Sequence, residues 1–131
     1  MEYLRQEEYP QLQLEAAWAL CNVASGTTVQ CQTIVEEGGI PLFSKLIRSQ
    51  NIYIVENAVW AIGNIANDSA FYRDSIISTG GFTNLRKLLK NIQEFKLRIK
   101  QRICWALSNL CMGKPLPNYS NIKSVIPVLC H

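Results

Sequence analysis

The feature that most restricts what this chain can fold into is a period. Trp18-Ala19-Leu20-Cys21-Asn22 returns as Trp60-Ala61-Ile62-Gly63-Asn64 and again as Trp105-Ala106-Leu107-Ser108-Asn109. Gly38-Gly39 returns as Gly80-Gly81, and Ile34-Val35 as Ile76-Ile77. The apolar stripe Ile40, Phe43, Leu46, Ile47 returns as Phe82, Leu85, Leu88, Leu89, each member displaced by 42 residues. Register kept over that many positions means a repeat, and a period of this length means a helical array. The third Trp follows the second by 45 residues, which places about three extra residues in a loop over Lys90–Lys96.

Each unit reads as a short helix, a Gly-Gly break, a medium helix, a polar turn and a long Ala/Trp/Asn helix. The spacing predicts a helix over 11–25, apolar nearly all round and so expected between two other layers. Gly26 should end it. Thr27-Thr28-Val29-Gln30 has the form of a capping box opening a helix to about Glu37. Pro41 sits where a first helical turn tolerates it, in a helix over roughly 40–49. The expected organisation is the end of one repeat (1–26), two full repeats (27–67 and 68–112) and the start of another (113–131). That last stretch carries Ile122, Val125, Ile126 and Leu129 at helical spacing, after Pro115 and Pro117. The fold expected is all-α, an armadillo-repeat right-handed superhelix (an α-solenoid) present as a partial array. Repeat ends without polar caps expose apolar surface, so the fragment is expected to self-associate.

Residues four apart on a helix lie one above the other. Each Trp/Asn pair therefore offers an indole beside a carboxamide, and stacked helices turn three pairs into two ladders. Charge is divided unevenly along the chain. Residues 1–80 carry four bases against nine acids, and residues 81–131 carry nine bases against one acid. Two of the three pairs lie in the acidic part, which suits a basic ligand. The overall net charge of +3 is too small to indicate nucleic-acid binding by itself. Five Cys without zinc-ligand spacing read as free thiols in a reducing compartment. The polar, acidic N-terminus does not read as a signal peptide, and no apolar run reaches the length of a membrane span. The expectation is a soluble intracellular protein with no cofactor and no metal.

Glu15-Ala16-Ala17-Trp18-Ala19-Leu20-Cys21-Asn22-Val23-Ala24-Ser25-Gly26 and Ala58-Val59-Trp60-Ala61-Ile62-Gly63-Asn64-Ile65-Ala66 resemble the armadillo repeats of the importin-alpha (karyopherin-alpha) family. Glu36-Gly38-Gly39-Ile40-Pro41 and Trp105-Ala106-Leu107-Ser108-Asn109-Leu110-Cys111 fit the same family, over roughly residues 11–131. The resemblance implies a nuclear import adaptor found in cytoplasm and nucleus. Its third helices would line a concave groove that binds the Lys/Arg-rich nuclear localisation signal of a cargo protein in extended form. Importin-beta is the implied partner of the full-length protein, through a basic segment not seen here. Trp18, Trp60 and Trp105 match the family's slots for basic side chains, and Asn22, Asn64 and Asn109 its grip on the peptide main chain. Gly26, Cys31 and Asp68 match a pocket for one lysine, with Cys31 at a position the family fills with Thr. Asn57 stands where the family has Gln. Arg102 stands where Asn is common, and adds positive charge near one end of the groove.

The physical chemistry agrees with that assignment. A carboxamide both donates and accepts, so one Asn can bond a main chain twice. Alternate residues of an extended peptide point to opposite sides, so those between can drop among the indoles. Other readings remain beside it. Asp68-Ser69-Ala70 also has the form of a helix N-cap. An enzyme would need an arrangement the chain does not offer: the one His is His131, and there is no Gly-rich phosphate loop. Cys104, Cys111, Cys130 and His131 are a remote metal alternative, and the bases of Arg86–Arg102 a weak nucleic-acid one. The serious alternative is a general armadillo scaffold that binds some other extended peptide. Neither nucleic acid nor membrane is an expected partner.

Overall fold

The computed structural model describes residues 2–5, 8–113, 115–119 and 123. A short 3-10 turn, Glu2–Arg5, precedes seven α-helices: α1 Pro10–Ala24, α2 Thr28–Glu36, α3 Gly39–Leu46, α4 Ile52–Asp68, α5 Ala70–Ser78, α6 Gly81–Leu88 and α7 Leu97–Cys111. A second 3-10 segment, Leu89–Glu94, joins α6 to α7. Among the described residues there is no strand, and no helix is long and apolar enough to cross a membrane. The fold is an all-α armadillo-repeat solenoid.

Local chemistry sets most boundaries. Thr27 Oγ1 accepts from the Gln30 N–H, and Gln30 Oε1 accepts from the Thr27 N–H at 2.9 Å, so the capping box opens α2. A side chain on Gly26 would run into Gln30, so glycine leaves room for that box. Gly38 and Gly80 hold φ of 85° and 93°, left-handed values that separate α2 from α3 and α5 from α6. Any L-residue there would be strained by roughly 1–2 kcal/mol. Asn51 caps α4 by accepting from the Tyr53 N–H, and Ser69 caps α5 by accepting from the Tyr72 N–H. The cap at the second junction is therefore Ser69, while Asp68 is the last residue of α4.

The long helices α1, α4 and α7 lie side by side with α4 in the middle, and α3 packs on α6 in a second row. Phe43, Leu46, Ile47, Ile54, Ile62, Phe82 and Leu85 fill the core. Across the rows, Asn84 Nδ2 donates to the Ser44 carbonyl at 2.7 Å. Arg73 is buried and ties α5 to the end of α7, its Nη1 donating to the Met112 carbonyl at 2.8 Å.

Two expectations change. α1 is not enclosed: only Gln13, Ala17, Cys21 and Ala24 are buried, while Leu12 and Val23 are exposed. Among the described residues it packs on the first 3-10 turn, α2 and α4, so its outer apolar positions meet no second layer. The Lys90–Lys96 insertion is not an open loop. Most of it winds as 3-10 helix with a break at Asn91, and Phe95 and Lys96 return to extended backbone before α7. The helical start expected over 121–131 lies outside the described residues, apart from Lys123.

Candidate functional site

Three parallel rungs form because each long helix places Trp and Asn one turn apart. α1 carries Trp18 and Asn22, α4 carries Trp60 and Asn64, and α7 carries Trp105 and Asn109. The indoles differ in exposure. Trp18 is 60% exposed, whereas Trp60 is half-buried. Trp105, 38% exposed, lies against the bare backbone of Gly63 on α4, where a Cβ would fall inside the ring. Exposed indoles gathered on one face are an uncommon use of apolar area and mark a contact surface. Trp18, Asn57 and Trp60 come together in a cleft of about 380 Å³, with Glu15, Arg98 and Arg102 also on its walls. Trp105 is not among the residues lining it. A larger cleft of about 600 Å³, bordered by Pro10, Gln13, Arg48 and Gln50, touches none of the ladder.

The three carboxamides are occupied to different degrees. Asn22 Nδ2 donates to the Trp18 carbonyl of its own helix at 3.1 Å. Asn109 Nδ2 donates across to the Gly63 carbonyl at 3.0 Å, which ties α7 to α4. Asn64 Nδ2 is buried and has no partner. A buried amide left unpaired costs about 1–3 kcal/mol, so the middle rung holds unspent hydrogen-bonding capacity.

At the far end of α4, Asp68 lines a cleft of about 540 Å³ together with Asn67, Arg73 and Asn109. Asp68 lies eight residues beyond Trp60, or about 12 Å along the helix. Its Oδ1 accepts from the Thr28 hydroxyl at 3.2 Å. Cys31 is only 1% exposed and faces the core, so it offers no surface to a ligand in this conformation. Burial, with a smaller push from the Asp68 carboxylate, raises its thiol pKa to about 11. The hydroxyl beside Asp68 is thus that of Thr28, three residues before Cys31. Gly26 is exposed at the turn that leads into this region. Tyr72 is also pushed up, first by desolvation and then by Cys31 and Asp68. Cys21, beneath the face, is raised to about 12 by burial, with Arg102 lowering it and Glu56 raising it.

Arg102 does not sit at one end of the groove. Its guanidinium carbon stands 4.2 Å from the centroid of the Trp60 ring, on the middle rung. Its Nε lies 3.1 Å from Glu56 Oε1, and Arg98 reaches the same carboxylate through Nε at 2.8 Å and Nη2 at 2.9 Å. Glu56 and Arg98 were not singled out by the sequence. Both pairs, Glu56–Arg98 and Trp60–Arg102, are 42 residues apart, three short of the 45-residue offset between α4 and α7, so each Arg stands about one turn before the position equivalent to its partner. Cys104 and Cys111 are free thiols, and no group of metal-ligating side chains forms among the described residues. Cys130 and His131 lie outside the described residues.

A solenoid of three-helix units with a side-chain ladder on its long helices defines an armadillo-repeat protein, and residues 27–67 match the armadillo/beta-catenin-like repeat family. Similarity extends well beyond that unit. The chain is 43% identical over 130 residues to importin subunit alpha-2 of Arabidopsis thaliana, covering 98% of this chain and 24% of that protein. It is 50% identical over 129 residues to importin subunit alpha-B of Dictyostelium discoideum, covering 98% of this chain and 25% of that one. The chain is thus similar to importin alpha subunits along nearly its whole length, and spans about a quarter of theirs. A designed armadillo repeat protein in complex with peptide (KR)4 superimposes with a TM-score of 0.78 at 28% identity, over 95% of this chain and 49% of that one.

Proposed function

We propose that this chain is the part of a nuclear import adaptor that binds a Lys/Arg-rich nuclear localisation signal, laid extended across α1, α4 and α7. The observation that carries this is the set of three Trp/Asn pairs in register on adjacent helices, with Asp68 at one end. Asn22, Asn64 and Asn109 hold the peptide main chain, and the unpaired amide of Asn64, buried in the free chain, gains a partner when its side chain turns to meet a peptide carbonyl. Trp18 and Trp105 flank the aliphatic stems of basic side chains, each cation over an indole adding about 0.5–2 kcal/mol. Asp68 and the Thr28 hydroxyl receive one lysine beside Gly26. Asn57 borders the cleft between Trp18 and Trp60, and Cys31 backs the lysine pocket from the core side. The work is binding, without catalysis. Two things support the reading beyond the geometry. The curated relatives are importin alpha subunits, and the designed armadillo protein of similar fold holds a peptide of alternating Lys and Arg. In the whole protein, importin-beta is the partner that carries the loaded adaptor between cytoplasm and nucleus.

The test is fluorescence anisotropy with a labelled octapeptide of Lys and Arg, against the same peptide with every Lys replaced by Ala. Tight binding of the first, loss with the second, and weakening with salt are expected. The second reading, a general armadillo scaffold for some other extended peptide, draws on Arg98 and Arg102 inside the ladder. Equal or tighter binding of an acidic peptide would favour it.

A further inference from the structure

The middle rung of the ladder already has a cation in it. Trp60 is covered by Arg102 at 4.2 Å, a distance at which guanidinium and indole attract. Arg102 is held there from the side by Glu56, whose carboxylate is only 8% exposed and is shared with Arg98. A guanidinium tethered to the neighbouring helix is always at hand, whereas a ligand cation must arrive from solution. An incoming Lys would meet two guanidinium groups already paired to Glu56, with Glu15, on the far side of the cleft beside Trp18, as the second carboxylate. Displacing Arg102 would also leave a nearly buried carboxylate with a single partner, which is unfavourable.

We infer that Arg102 is an internal occupant of the Trp60 slot and sets the specificity of the groove: the peptide residue over the middle rung is uncharged, with basic residues read only on either side of it. Glu56 is the positioning residue that clamps Arg102. This rests on the peptide-binding reading above, and deepens it by naming a position at which the ligand's charge is excluded. The open indole of Trp18 and the capped indole of Trp60 then act differently although they occupy the same place in successive units.

The experiment is a positional scan. A hexapeptide of Lys and Arg, and its six single-Ala variants, are titrated against the wild-type chain, Arg102→Asn, Arg102→Gln and Arg102→Lys. Circular dichroism verifies that each variant is folded. Indole N–H resonances, assigned with Trp→Phe variants, report which rings the peptide reaches. In the wild type, Ala is expected to be harmless at one internal position, and the Trp60 indole signal is expected to move least. Arg102→Asn and Arg102→Gln should bind the parent peptide about fivefold more tightly, become sensitive at that position, and show a Trp60 shift as large as that of Trp18. Arg102→Lys keeps a cation over the ring and should behave as the wild type does. If the peptide binds, Asn64→Ala weakens it, and removing Arg102 changes neither affinity nor the scan, the inference is wrong while the groove reading stands. If no variant binds the peptide at all, the groove reading is wrong and this inference falls with it.

Discussion

Trp18 and Trp60 stand one repeat apart, at the same place on equivalent helices, yet they present different surfaces. Trp18 is open to solvent, and the residue that stands three before the Trp of the next helix is the uncharged Asn57. Trp60 is roofed by Arg102, the residue that stands three before Trp105 on the helix after it. The difference teaches where specificity is written in such an array. The helix that carries an indole fixes its position, and the next helix decides whether the slot is available. Asp68 is a contrast, since its hydroxyl partner Thr28 opens α2 of the same three-helix unit.

The comparison requires that both rungs share one scaffold, and the scaffold can be broken outright. Phe43 is fully buried between the rows, and Phe43→Ala should cost about 3–5 kcal/mol in urea unfolding, taking both rungs with it. A narrower break tests the contact between helices. Gly63→Ala would drive a methyl group into the Trp105 ring and should cost about 1–3 kcal/mol, with Trp105 emission shifting as the ring is displaced. Cys21 holds the same repeat position with a side chain in place, so Cys21→Ala should leave the Trp105 signal unmoved. The rungs themselves are compared by truncation. Trp18→Ala should weaken a basic peptide about fivefold, and Trp60→Ala by less, because its partner is already Arg102. The reverse order in calorimetry would mean that Arg102 leaves the slot freely.

The smallest effect concerns the thiols beneath the face. Burial raises Cys21 to about 12 and Cys31 to about 11, above the ordinary thiol value of about 8.5. Folding thus favours the neutral thiols. Their contribution to stability is complete below the unfolded-state pKa and is lost as pH rises through about 11 and 12. Melting temperature should fall between pH 9 and 11, and Cys104 should react with a thiol reagent at pH 8 well before Cys21 or Cys31. Equal rates for all three would mean that the face opens readily.

Much of the scaffold was legible because it rests on local chemistry. The capping box at Thr27, the left-handed breaks at Gly38 and Gly80 and the apolar stripe of α3 each follow from a few neighbouring residues. The helix period then placed the Trp/Asn pairs on one face. What escaped was everything that depends on which residues face one another across helices. The outer face of α1 reads as apolar as the inner one, and only packing separates Leu12 from Ala17. Both Asp68 and Ser69 suit a helix junction, and backbone geometry selects Ser69 as the cap. The Trp-to-Trp spacing shows which positions correspond between units, not which of them touch. Pairing Glu56 with Arg98 and Trp60 with Arg102 needs the further fact that α7 lies directly beside α4.

Calorimetric titration of a Lys/Arg octapeptide into the wild-type chain and into Asn64→Ala tests the central claim most directly. Asn64 carries the unpaired amide and reads main chain, so the account predicts about fivefold weaker binding in the variant, by a similar factor for basic peptides of different order. Unchanged affinity in Asn64→Ala would mean that the peptide does not lie along the ladder, and would contradict the account.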